Sequence, residues 1–90
     1  MSFIRIGFGN LVSAERLITV VGSESAPVRR LVQDARDRGA LIDASSGKKC
    51  KSVLIMDSDH IVLSALPPEE IEVLLEKTTK QTPKDGGQGM

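Results

Sequence analysis

Fifteen residues, Ser52 to Leu66, constrain this chain most: the apolar runs Val53-Leu-Ile-Met56 and Ile61-Val-Leu63 stand on either side of Asp57-Ser58-Asp59. A triplet with turn chemistry between two such runs predicts a β-hairpin. Neither run alternates with polar residues, so both faces of both strands need cover. Two amphipathic helices cover roughly one face of a small sheet, and the surplus apolar surface is expected to meet a second copy of the chain.

The elements before and after the hairpin follow from period and punctuation. Phe3-Ile4-Arg5-Ile6 alternates as a strand, and Gly7-Phe8-Gly9-Asn10 breaks it with a turn or bulge. Leu11 to Ala14 and then Arg16 to Val21 resume extended propensity, the second run with almost no polar face, which predicts a strand covered on both sides. Ser25 suits a helix N-cap and Pro27 its first turn; Val28, Leu31, Val32 and Ala35 then fall on one helical face. Gly39 marks that helix's end, with Arg36 and Arg38 in the last turn where cations suit the helix dipole. On the opposite face Arg30 with Asp34 and Asp34 with Arg38 are spaced for weak ion pairs. Leu41 to Ala44 reads as a short strand, Ser45-Ser46-Gly47 as a turn, and Lys48, Lys49 and Lys51 as the entry to the long apolar strand. Pro67-Pro68-Glu69-Glu70 opens a short second helix striped by Ile71, Leu74 and Leu75. The fold class is α+β: a small, mainly antiparallel sheet of four or five strands with two helices. Residues 1–78 are expected to form one domain, and the polar, glycine-rich residues 79–90 a disordered tail.

A core drawn from 90 residues is marginal, and one cysteine excludes an internal disulfide and any multi-cysteine zinc site. Oligomerisation is the remaining staple. With no apolar run of membrane-spanning length and no signal-peptide pattern, a soluble, cytoplasmic protein without a membrane partner is expected. The formal net charge is zero, but residues 1–51 carry nine Lys or Arg against five Asp or Glu, and residues 52–90 three against seven. That asymmetry hints at a polyanionic partner.

Enzymatic and cofactor readings find little support. Gly7-Phe8-Gly9 lacks the third glycine and the helix of a dinucleotide loop. Asp57, Asp59 and His60 contain metal-competent groups, yet Asp and Ser are what a hairpin turn selects. Cys50 and His60, on opposite strands of the predicted hairpin, lack an orienting group and an oxyanion feature. No enzyme activity, cofactor, metal or small-molecule substrate is expected. The basic cluster Lys48, Lys49 and Lys51, beside Gly47 and joined by Arg16 from a neighbouring strand end, fits phosphate contact better. Phe3 and Phe8 are the only aromatic residues, too few for base stacking, so if nucleic acid is bound, a duplex read by backbone and shape is expected. A solvated charge run on a structural module is the competing reading.

Five segments carry a family resemblance: Ile6-Gly-Phe-Gly-Asn-Leu-Val-Ser-Ala14, Glu24-Ser-Ala-Pro27, Gln33-Asp-Ala-Arg-Asp-Arg-Gly39, Leu41-Ile-Asp-Ala44 and Met56-Asp-Ser-Asp-His60. Together they make residues 3–68 resemble RemA, the bacterial extracellular-matrix (biofilm) regulatory protein family. The resemblance implies a DNA-binding transcriptional activator of matrix and osmoprotection genes that assembles as a homo-oligomeric ring, an octamer, around which DNA wraps. It implies DNA contacts at Arg16, Lys48 and Lys49, and an assembly role for the segment holding Pro27, with Arg29 and Arg30 beside it. Lysines stand here where the family has paired arginines after Gly47, which keeps the charge but loses bidentate recognition. The alternative from another class is a non-enzymatic ring-forming adaptor that binds other proteins.

Overall fold

The predicted hairpin is the centre of the molecule. In the computed structural model, which describes residues 2–80, β1 (Phe3–Gly7) and β2 (Asn10–Ser13) lead through a 3-10 turn (Ala14–Arg16) to β3 (Leu17–Gly22) and α1 (Ala26–Asp37). There follow β4 (Leu41–Asp43), β5 (Ser52–Met56), β6 (Ile61–Ser64) and α2 (Pro68–Lys80). β5 and β6 pair antiparallel in the register Ser52↔Ser64 to Ile55↔Ile61. Their turn is closed by the Met56 amide donating to the His60 carbonyl at 3.0 Å, with Asp59 taking a positive φ of 69°.

Two sheets form where one was expected. β1 and β2 make a separate two-stranded sheet, while the larger sheet runs β3-β5-β6-β4. Phe8 and Gly9 both have positive φ, 56° and 78°, in a two-residue loop between Gly7 and Asn10, which is the backbone requirement of a type I′ hairpin. The Gly-Phe-Gly interruption is thus the turn of its own hairpin. β4 and β6 pair parallel, so the larger sheet is mixed.

The alternating faces of β5 and β6 explain why neither strand shows a polar side. Leu54 and Val62 pack with Ile4, Ile6, Val12, Ala44 and Ile71, beneath the β1–β2 hairpin and α2. Val53, Ile61 and Leu63 pack on the other side with Ala35 of α1. The sheet is therefore covered within one chain on both faces at its centre. The hairpin supplies a third covering element, and among the described residues the large apolar side chains left exposed on this sheet are Ile18 and Ile42, on its edge strands. β3, expected to be buried on both faces, is instead an edge strand, with Ile18 65% exposed.

Both helices begin as their sequences dictate. Ser25 Oγ accepts from the Val28 amide at 3.3 Å, with Pro27 in the first turn. α1 ends with the Gly39 amide on the Arg36 carbonyl and the Ala40 amide on the Ala35 carbonyl, while Gly39 adopts φ 73°: a Schellman stop. α2, expected to be short, is 13 residues long and extends through Lys80, past Thr78, the last residue expected in the domain. The remainder of that tail, residues 81–90, lies outside the described residues.

Candidate nucleic-acid interface

The segment joining β4 to β5 passes the end of β6, because β4 and β5 lie on opposite sides of that strand. Its shape begins with Asp43, whose Oδ1 accepts from the Ser45 amide at 2.9 Å and from Ser45 Oγ at 2.6 Å. These bonds hold the Asp43 carboxyl below its ordinary pKa, with a small contribution from the Arg36 guanidinium. Ser46 and Gly47 then take positive φ, 55° and 79°, and the Lys48 amide closes the turn on the Ser45 carbonyl at 3.0 Å. At the far end the Lys51 amide donates to the Ser64 carbonyl at 2.9 Å, and Ser23 Oγ donates to the Cys50 carbonyl at 2.7 Å. A chain without regular structure is thus tied at both ends.

Lys48, Lys49 and Lys51 are all exposed on this segment. They precede β5, which begins at Ser52, so they occupy a braced loop and not the strand itself. Among the described residues none of their ammonium groups meets a carboxylate. Unpaired cations on a fixed backbone are suited to phosphate, since no internal pair must first be broken.

Arg16 does not join them within one subunit. It ends the 3-10 turn before β3, and β3 runs antiparallel to β5 with Leu17 opposite Met56 and Gly22 opposite Ser52. This register puts Arg16 beside the Asp57 turn and the lysines at the other end of β5, roughly 15–20 Å away by strand length. Arg16 pairs there with Asp57 at 3.6 Å. Sequence spacing alone could not reveal this, because the β3–β5 register is a long-range fact.

Pro27, Arg29 and Arg30 are exposed near the start of α1. Among the described residues Asp34 pairs with Arg38, Nε to Oδ2 at 3.1 Å, and not with Arg30. Arg29 and Arg36 line a groove together with Lys49, an arrangement the sequence reading missed. In sequence Arg36 reads as a last-turn cation suited to the helix dipole and Arg29 as a neighbour of the assembly segment, so their seven-residue spacing goes unconnected.

Cys50 and His60 lie at opposite ends of the hairpin: Cys50 precedes β5, while His60 follows the turn. Burial raises the Cys50 thiol pKa, and Sγ donates to the Ser52 carbonyl at 3.3 Å, which leaves a protonated, poorly nucleophilic sulfur. His60 Nδ1 is 2.8 Å from Ser58 Oγ within the turn. Among the described residues no helix is long and apolar enough to cross a membrane.

Residues 3–74 match the sequence profile described as RemA-like, extracellular matrix regulatory protein A-like. The chain is 52% identical over 89 residues to the extracellular matrix regulatory protein A of Bacillus subtilis, covering 99% of this chain and 98% of that one. A protein of Carboxydothermus hydrogenoformans whose name marks it as regulatory is 55% identical over 71 residues, 79% of this chain and 82% of its own. Profile and near-full-length identity agree, and this chain belongs to the RemA-like family of extracellular matrix regulatory proteins.

Proposed function

We propose that this protein is a transcription regulator that binds double-stranded DNA through Lys48, Lys49 and Lys51, with Arg16 as a second contact about one strand length away. The observation that carries the reading is the braced loop, whose three exposed ammonium groups are unpaired among the described residues. The regulatory names of its relatives support the role, and extracellular-matrix genes are the natural targets by that kinship. Lysine in place of arginine favours contact with the DNA backbone over recognition of base edges, and leaves selectivity to DNA shape and deformability.

The DNA-binding form is a homo-oligomeric ring, eight-membered by family resemblance. Two edge strands support this, because each carries an exposed isoleucine: Ile18 at 65% on β3 and Ile42 at 49% on β4. Unlike edges that meet head to tail repeat until they close. A ring presents the lysine loop many times to one DNA segment, and effective concentration then replaces intrinsic affinity.

A mobility-shift titration across salt concentrations tests this reading. Each subunit offers four cations, which limits one subunit to a slope of roughly −3.6 in log affinity against log salt. A steeper slope is expected, with loss of most retention in Lys48→Ala/Lys49→Ala at unchanged thermal stability. Full DNA retention by that folded double variant would remove the lysine loop from the interface.

A further inference from the structure

The β1–β2 hairpin is tied to the lysine loop at both ends of that loop. Asn10 Nδ2 reaches the Gly7, Phe8 and Ala44 carbonyls at 3.0, 3.3 and 3.4 Å, and Ala44 stands directly before the Ser45 turn that leads to Lys48. At the other end Ser64 accepts from the Lys51 amide through its carbonyl and donates to the Ile6 carbonyl through its hydroxyl. The hairpin tip, Phe8-Gly9, and the three lysines therefore stand at the same end of the molecule. Phe8 has no local reason to be there. It is the first central residue of the type I′ turn, at φ 56°, where a bulky side chain is strained and Asn before Gly is what the turn favours. Nor does packing explain it, because the residue is 55% exposed and belongs to neither core cluster.

Arg5 and Leu11, a cross-strand pair exposed on the outward face of the hairpin, line one hollow with Phe8 and its two flanking glycines, and no carboxylate lines it among the described residues. Arg5 has no ion-pair partner among the described residues. An apolar side chain carried on a narrow tip between cations has the form of a wedge that enters the minor groove and parts two stacked base pairs. A second copy is a poorer occupant. One phenylalanine between two glycines offers far less than the roughly 800 Å² per partner of a stable contact, and a face-to-face meeting sets Arg5 and the lysines against their own charge. We propose that Phe8 inserts between base pairs of the DNA held by Lys48, Lys49 and Lys51, with Arg5 on the adjacent phosphates and Leu11 against the sugars, and so kinks the duplex at that step. This rests on the DNA reading above, and adds to it a side chain that senses how easily a base step opens, which lysines on phosphate do not.

The test compares, by mobility shift on the full chain, a short perfect duplex with the same duplex carrying one central mismatch, whose base step opens at lower cost. Wild type is expected to bind the mismatched duplex about tenfold tighter. Phe8→Asn should lose that preference and melt at or above the wild-type temperature, because Asn suits the turn. Phe8→Leu, which keeps an apolar wedge, should retain part of the preference. Both variants should sediment as wild type does. Equal binding of the two duplexes by wild type, or a preference that survives in Phe8→Asn, overturns the wedge and leaves the lysine loop standing. A smaller species on sedimentation of Phe8→Asn overturns it too, and assigns the tip to a contact between copies. Retention of neither duplex by wild type overturns the DNA reading itself, and the wedge with it.

Discussion

Arg16 and Asp57 hold one another twice: Arg16 Nη1 lies 3.6 Å from Asp57 Oδ2, and the Asp57 amide donates to the Arg16 carbonyl at 2.7 Å. The backbone bond fixes where the arginine stands, and the ion pair, with side chains 67% and 44% exposed, is screened and weak. Arg16 is therefore positioned by the chain and remains available to a stronger anion.

Arg16→Glu should accordingly cost little stability, within about 1 kcal/mol by chemical denaturation, because only an exposed pair is lost. DNA retention should fall further than in Arg16→Ala, since reversal adds repulsion to a lost contact. Equal retention by both variants and wild type would exclude Arg16 from the DNA path.

Ile18→Lys addresses assembly without disturbing the core, because the side chain is already 65% exposed. Sedimentation should show a smaller species, and the circular dichroism spectrum should match that of wild type. If the variant sediments as wild type does, the β3 edge is not an assembly surface.

Ser64 Oγ donates to the Ile6 carbonyl at 2.9 Å and accepts from the Leu66 amide at 3.1 Å, and the residue is fully buried. Ser64→Ala removes the partner of both groups where water has no access, at a cost of about 1–3 kcal/mol. Urea unfolding measures it; a change below about 0.5 kcal/mol would mean the two backbone groups find other partners.

Asp43 provides a pH signature. Its carboxyl pKa is lowered from 3.8 by the two bonds from Ser45. A group depressed on folding contributes stability that is present above its unfolded pKa and lost as pH falls through the folded one. The stability gap between wild type and Asp43→Ala should thus be constant from pH 7 to about 5, and shrink below about pH 4. A gap that persists unchanged at pH 2.5 would assign the effect to packing and not to the carboxylate.

Local chemistry was legible wherever neighbours in sequence decide the outcome. Ser25 and Gly39 bound α1 as their types require, and Asp57-Ser58-Asp59 turns the hairpin. The Asp43-x-Ser45 spacing, which shapes the lysine loop, was also open to reading as an Asx turn but passed unnoticed. What depends on distant partners was hidden. The apolar faces of β5 and β6 said that cover was needed, not that the first fourteen residues would supply it. Arg16 and the lysines shared a sign of charge, and only the β3–β5 register separates them. Arg29 and Arg36 share α1, but Lys49 comes from the loop before β5, so their common groove is invisible along the chain.

The bond from Ser64 to the Ile6 carbonyl spans 58 positions, and Ile6 is buried against Leu54 and Val62. The N-terminal hairpin is synthesised before the surface on which it docks. Two exposed strands cannot hold themselves together in water, so they must wait for β5 and β6. Synthesis order and folding order are opposed here, and a chain interrupted before β6 carries the hairpin's apolar residues with nowhere to bury them.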